Sequence, residues 1–351
     1  MPHTQHPLRV INSTAPIRVC DNGGWADTWF AKYGKVFNIA VNPRVEVQLR
    51  VFSHSGDAKP IVIHAENYGL RYEIGIPNGC YDAHPLIEAA FDYMRIPDAH
   101  RVEVSIFSEV PGGCSTGTSA AVSVALIGAL DSLTPGRLSA SEIALAAQRV
   151  ETELLKQQCG IQDQIASAHG GISYIDMYEY PYANVCPVLL PDPLWWELEA
   201  RLSLVFVGQT HSSSETHQMV IRNLEDTGPE APALKPLRLT AEKSRDALLA
   251  GDFEAFGRVM IENTEAQRNL HPDLIGPAHQ RIIDIARESG AIGWKVNGAG
   301  GAGGSVTLLS GPSRQARREM LLLIESADPA FRRIPISLSG HGLRVWDSTP
   351  A

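Results

Sequence analysis

The stretch Pro111-Gly112-Gly113-Cys114-Ser115-Thr116-Gly117-Thr118-Ser119-Ala120-Ala121 constrains this chain most. Before it, Val102-Glu103-Val104-Ser105-Ile106 alternates apolar and polar residues, as a half-buried strand does. After it, the apolar run from Ala120 to Leu130 predicts a buried helix. A strand that feeds a Gly/Ser/Thr loop, which then opens a helix, exposes backbone N–H groups at the positive end of the helix dipole. Anions bind there. Small residues let a phosphate approach the backbone closely. The hydroxyls of Ser115, Thr116, Thr118 and Ser119 add donors, and one of them is a candidate ligand for a divalent cation. An ordinary loop with a Ser or Thr helix cap fits the same residues. No Gly-Lys-Ser/Thr occurs, so this is not a Walker A loop.

The chain has 351 residues, enough for two domains, and 44% apolar residues support a substantial core. A net charge of −9 argues against a general nucleic-acid or anionic-membrane binder, while leaving room for a local anion site. Met1 to Val10 has no apolar stretch of the kind a secretory signal needs, and no window approaches a membrane-spanning length. Cys20, Cys80, Cys114, Cys159 and Cys186 are scattered, with no CxxC pair. Reduced thiols in a cytoplasmic protein are expected. Cys114 reads as a small packing residue rather than a nucleophile.

Taken in order, a short strand around Ile17 to Cys20 meets a turn at Asn22-Gly23-Gly24, with Asp27 just beyond. Val45, Val47, Leu49 and Val51 alternate with Arg44, Glu46, Gln48 and Arg50, predicting a strand with one wet face. A helix is expected from Pro85 to Met94. His54, His64, His84 and His100 show no metal-ligand spacing. Ser139 and Glu142 form a possible capping box, opening a helix that has Glu151 on the edge of its apolar stripe. The ordinary reading of Glu151 is a solvated face, and of Asp163 a helix cap. Two carboxylates downstream of a phosphate loop also suit a kinase, which needs one to hold Mg²⁺ and one to orient an acceptor hydroxyl.

Composition shifts near Pro187 to Pro193, which divides the chain into domains at 1–190 and 191–351. In the second part, a strand is expected over Leu202–Val207, amphipathic helices over 240–267 and 278–289, a helix over Gln315–Ala327, and closing strands near Ile334–Leu338 and Leu343–Trp346. Gly298, Gly300 and Gly303 spell GxGxxG, but a strand, Ser305 to Leu309, follows where a dinucleotide-binding fold requires a helix. This is therefore a tight strand-to-strand loop with close backbone approach. Trp195, Trp196, Trp294 and Trp346 are candidates for a sugar wall, although core packing is the ordinary use of each.

These glycine-bearing stretches, in this order, resemble the GHMP kinases, the small-molecule kinases named for galactose, homoserine, mevalonate and phosphomevalonate. The resemblance runs from about Ala15 to Trp346. The central loop is similar to the family's Pro-x-x-x-Gly-Leu-Gly-Ser-Ser-Ala loop, and Gly298 to Gly304 to its last Gly-rich motif. Arg18 to Asp27, Cys159 to Gly171 and Thr210 to Glu215 resemble motifs of the branch that holds heptose 7-phosphate kinases and fucokinases. Ser115 and Thr116 replace the usual Gly and Leu, Trp25 replaces a glycine common in heptose kinases, and His211 stands where those often carry Arg. Asn297 and Ala302 depart from the commoner last motif.

The resemblance implies an α+β, two-domain kinase, with a ribosomal protein S5 domain 2-like first domain and a ferredoxin-like second. It implies that Pro111, Gly112, Gly113, Cys114, Ser115, Thr116, Gly117, Thr118 and Ser119 cradle the ATP phosphates. It matches Glu151 and Ser119 to Mg²⁺ ligands, Asp163 to the acid that orients or deprotonates the acceptor hydroxyl, and Arg18 to its basic partner. Asp27, Gly23, Gly24 and Gly300 match the substrate side. The resulting expectation is an ATP- and Mg²⁺-dependent kinase acting on a sugar or sugar-phosphate hydroxyl, the anomeric one first. Two rivals are a sensor that kept the fold and lost the chemistry, and a kinase for a non-sugar alcohol such as mevalonate.

Overall fold

A computed structural model describes residues 6–54, 59–135, 137–209, 218, 220–222, 224 and 227–348. The Thr210–Glu215 stretch, with His211, lies outside the described residues. The first half of the chain supplies strands β1 (Arg9–Asn22), β2 (Gly34–Ser53), β3 (Ile61–Ala65), β4 (Leu70–Ile74), β5 (His100–Ser108), β6 (Ile172–Glu179) and β7 (Tyr182–Pro187). It also supplies helices α1 (Pro85–Met94), α2 (Thr118–Asp131), α3 (Ala140–Arg149) and α4 (Gln162–His169).

The long β2 organises the first sheet. Its apolar residues from Val45 to Val51 point inward and their neighbours outward, as the alternation predicts. It pairs with β1 along most of its length, with β5 through residues 45–53 and with β6 through residues 34–39. Helix α2 is apolar nearly all round, so it can only be a core element. It packs on β1 and β2 with α1, α3 and α4 around it. Ser139 and Glu142 form the capping box that starts α3.

Helix α5 (Asp192–Arg201) leads into β8 (Leu202–Phe206). Helices α6 (Leu234–Leu249), α7 (Phe253–Leu270) and α8 (Pro277–Glu288) precede β9 (Ala291–Val296) and β10 (Ser305–Ser310). Helix α9 (Arg314–Ala327) precedes β11 (Arg332–Ile334), β12 (Ser337–Leu338) and β13 (Arg344–Ser348). The second sheet has the order β11-β8-β10-β9. Helices α6 and α7 pack together, α6 against β2 and α7 against β9, so they join the two sheets.

Two expectations are corrected. The helix read over 240–267 is two helices, because Gly251 turns left-handed (φ +68°) and the Asp252 carboxylate then caps α7 through the Ala255 N–H at 2.8 Å. The chain end does not stay with the second sheet: β13 pairs antiparallel with β1, and β12 with β2. No helix among the described residues is long and apolar enough to cross a membrane.

Candidate active site

Strand β1 is irregular where it matters. The pairing runs Arg18 to Ala40 and Val19 to Ile39, then jumps to Asn22 opposite Phe37. One extra residue thus sits in β1, and such a bulge re-aims the side chains around it. Strict alternation sends Arg18 and Asp21, an odd number apart, to opposite faces. The bulge brings them to the same side, with Arg18 Nη1 3.9 Å from Asp21 Oδ1.

The phosphate-type loop lies against this part of β1. The Arg18 backbone N–H donates to the Thr116 carbonyl at 2.9 Å, and Arg18 Nη1 donates to the Ser115 carbonyl. Gly117 is the N-cap of α2, left-handed at φ +71° and without a side-chain cap. A β-carbon there would stand 3.2 Å from the Asp163 carboxyl carbon. Glycine is therefore what lets the helix N-terminus and Asp163 meet. Cys114 is buried and its thiol is pushed up to about 11 by burial, which suits packing and not nucleophilic attack.

Asp163 lies in the first turn of α4, but it does not cap that helix. Asp27 does, from outside: its Oδ2 accepts the N–H groups of Ile161 and Gln162, both at 3.0 Å. Asp163 is left to accept the Arg18 Nε at 2.8 Å. Burial raises the Asp27 carboxyl to about 6, against the opposing pull of the Gln162 N–H, with the nearby Asp163 adding to the rise. The Arg18 guanidinium is buried, which disfavours its charge, yet Asp163 and Asp21 outweigh that and hold it firmly protonated.

Glu151 is not on a wet edge. Residues Val150–Leu154 form a single π turn at the end of α3, and the wider turn carries Glu151 to the interior, 8% exposed. Gln164 Nε2 donates to it at 2.7 Å. Burial raises its carboxyl to about 7, partly offset by that bond. A raised folded value means that the folded protein binds a proton more readily than the unfolded chain. The stability that the protonated acid contributes is complete below pH ~4.5 and is lost as pH rises through about 7. Glu151→Gln should therefore stabilise the free protein at pH 8 by on the order of 1–3 kcal/mol, and hardly at all at pH 4. Urea unfolding of both proteins at the two pH values checks this, and an equal difference at both would refute the buried, proton-binding carboxyl.

These groups line one cavity of about 420 Å³: Arg18, Asp27, the loop from Gly113 to Ser119, Glu151 and Asp163. Pro111, Gly112, Gly23, Gly24 and Gly300 are not among its lining residues. Gly300 has another reason to be glycine: a β-carbon there would meet the Leu274 carbonyl at 2.1 Å. The last Gly-rich loop is nonetheless beside the phosphate-type loop, since Ser305 Oγ donates to the Cys114 carbonyl at 2.7 Å and Gly298 and Ala299 line the cavity. Trp294 is core, and Trp196 and Trp346 are half exposed to solvent. The tryptophan on the cavity is Trp25.

The sequence reading missed Asp21, Gln164 and Lys295. Asp21 needed the bulge to be seen, Gln164 the π turn, and Lys295 the packing of β9 behind β1.

The family model for the GHMP kinases N terminal domain matches residues 84–171, and the one for the GHMP kinases C terminal matches 244–321. A mevalonate kinase of Thermococcus onnurineus is 31% identical over 259 residues, 71% of this chain and 70% of that one. A bifunctional fucokinase/GDP-fucose pyrophosphorylase of Arabidopsis thaliana is 27% identical over 327 residues, 87% of this chain. This chain spans only 31% of the length of that relative. The crystal structure of a D-glycero-D-manno-heptose 1-phosphate kinase from Bacteriodes thetaiotaomicron superposes with a TM-score of 0.73 at 21% identity, covering 96% of this chain and 98% of that one. The mevalonate kinase relative and the two matched domain models show the family, and the superposed structure shares the fold: the chain belongs to the GHMP kinases, phosphotransferases that use ATP.

Proposed function

We propose that the protein is a sugar kinase, transferring the γ-phosphoryl group of ATP to a hydroxyl of a sugar or sugar phosphate, the anomeric hydroxyl first. The observation that carries this reading is the position of Asp163. It is ion-paired to Arg18 and lies against Gly117 at the N-terminus of α2, so an acid and a cation flank the place where phosphate would sit.

In this reading the loop from Pro111 to Ser119 holds the phosphates, chiefly through backbone N–H groups and the start of α2. Asp163 orients the acceptor hydroxyl and accepts its proton. Arg18 offsets the charge that develops on the transferring group. Asp27 fixes the start of α4 and so fixes Asp163; Trp25, Asp27 and Thr28 form the wall on which an acceptor would rest. Catalysis is then mainly positioning and electrostatics. Glu151 and Ser119 would hold Mg²⁺. The donor set fits, because Glu151 is a buried carboxylate at the cavity that accepts from Gln164, and a hard cation with oxygen ligands would favour its ionised form. The ion would supply neutralisation of phosphate charge.

The fucokinase and heptose kinase relatives support a sugar acceptor. The mevalonate kinase relatives, at up to 32% identity, favour mevalonate as the second reading. The test is ADP release from ATP and Mg²⁺ over free hexoses, fucose, heptoses, heptose 7-phosphate and mevalonate. Turnover on one of the sugars is the expected result. Turnover on mevalonate alone would replace the sugar, and nucleotide binding with no turnover on any acceptor would favour the sensor.

A further inference from the structure

A second cation is buried behind the catalytic pair. Lys295, on β9 of the second sheet, is 1% exposed, as is the carboxylate it faces, Asp21 on β1. The Lys295 ammonium donates to Gln267 Oε1 at 3.0 Å and to the Val296 carbonyl, and it stands 3.3 Å from Asp21 Oδ1. That oxygen also lies 3.9 Å from Arg18 Nη1. The other Asp21 oxygen, Oδ2, accepts the Gly298 N–H at 3.0 Å, and Gln267 Nε2 donates to the Gly298 carbonyl at 3.1 Å. Two carboxylates, Asp21 and Asp163, thus compete for one guanidinium, and the second cation sits beside only one of them.

We propose that Lys295 is a positioning residue for phosphoryl transfer: by neutralising Asp21, it leaves Arg18 oriented toward Asp163 and the Ser115 carbonyl. This rests on the roles given above to Arg18 and Asp163. The physical argument is one of charge balance in a water-poor interior. An unpaired buried carboxylate draws in the nearest cation, because its attraction is screened far less there than in water. Burial, with Arg18 adding to it, holds the Lys295 ammonium below its ordinary pKa, and Asp21 is the chief group that opposes this. Without Lys295, Asp21 has Arg18 as its nearest cation, and the guanidinium turns away from Asp163. Asp21 and Gln267, the two groups that Lys295 touches, also hold the N–H and the carbonyl of Gly298, and a β-carbon on Gly298 would be 3.0 Å from the Ser115 carbonyl and 3.4 Å from Arg18 Nη2.

The experiment compares Lys295→Met, Asp21→Asn and the double variant, with Asp163→Asn as the reference for the underlying reading. Turnover and KM for ATP are measured well below the melting temperature of each protein. Lys295→Met is expected to lower kcat by ~10–100-fold with KM for ATP within ~3-fold. Asp21→Asn and the double variant are expected to stay within ~5-fold of the wild-type kcat, because the competing carboxylate is gone. A purely structural lysine would change the melting temperature and leave kcat of the folded protein alone, and that result overturns the proposal. So does a double variant as impaired as Lys295→Met. If Lys295→Met does not fold, the double variant decides: folded and active supports positioning, whereas folded and ~30-fold impaired, or unfolded, overturns it. Full turnover in Asp163→Asn would instead defeat the reading on which the proposal rests, and is recognised separately.

Discussion

Replacing Asp163 by Asn is expected to lower turnover by ~10²–10⁴-fold, the range lost with a general base, while ATP binding changes by no more than ~3-fold. The substitution keeps the volume and leaves an amide oxygen where Asp163 Oδ1 now accepts the Arg18 Nε at 2.8 Å. It removes the negative charge and the capacity to take a proton. Arg18 is not orphaned, since the Ser115 carbonyl and Asp21 remain beside it. Folding should therefore survive, and the loss should fall on kcat. Steady-state ADP release together with calorimetric titration of nucleotide separates the two quantities. Turnover equal to the wild type would remove Asp163 from the chemistry.

Arg18→Lys is the second large effect. The guanidinium has several donors in a fixed plane, and it uses different ones for Asp163 and for the Ser115 carbonyl. A lysine ammonium, a single point charge with a shorter overall reach, cannot satisfy both from the same backbone position. A fall in kcat of ~10²–10³-fold is expected, with a stability loss of about 2–4 kcal/mol from the incompletely paired buried charges. Turnover and the urea midpoint report these separately. A variant that loses stability but keeps kcat would assign Arg18 to the fold alone.

Much of this was legible in the sequence because it is local. The strand over 45–51 follows from alternation, the buried α2 from an apolar run, and the start of α3 from its capping box. Gly117 and the residues around it announce a loop that must bend sharply, and the order of the glycine-bearing motifs points to the family. Where pattern reading failed, a single residue broke the pattern without disturbing composition. Gly251 and Asp252 split a helix whose amphipathic stripe otherwise runs on. The π turn at Val150–Leu154 rotates Glu151 inward from the place that a regular helix gives it.

The sequence by itself determined the elements, the phosphate-type loop and the acids and base of the candidate site, because those depend on neighbours a few residues away. Only the tertiary structure decided how they are used. Asp27 caps a helix 134 residues further along, and the chain end at β13 closes the edge of the first sheet beside β1. Gly298 donates its N–H to Asp21 from 277 positions along the chain, and Lys295 faces the same carboxylate because β9 and β1 pack together. Burial creates these partnerships: a charge removed from water must find its opposite nearby, and which one is nearby is settled by packing.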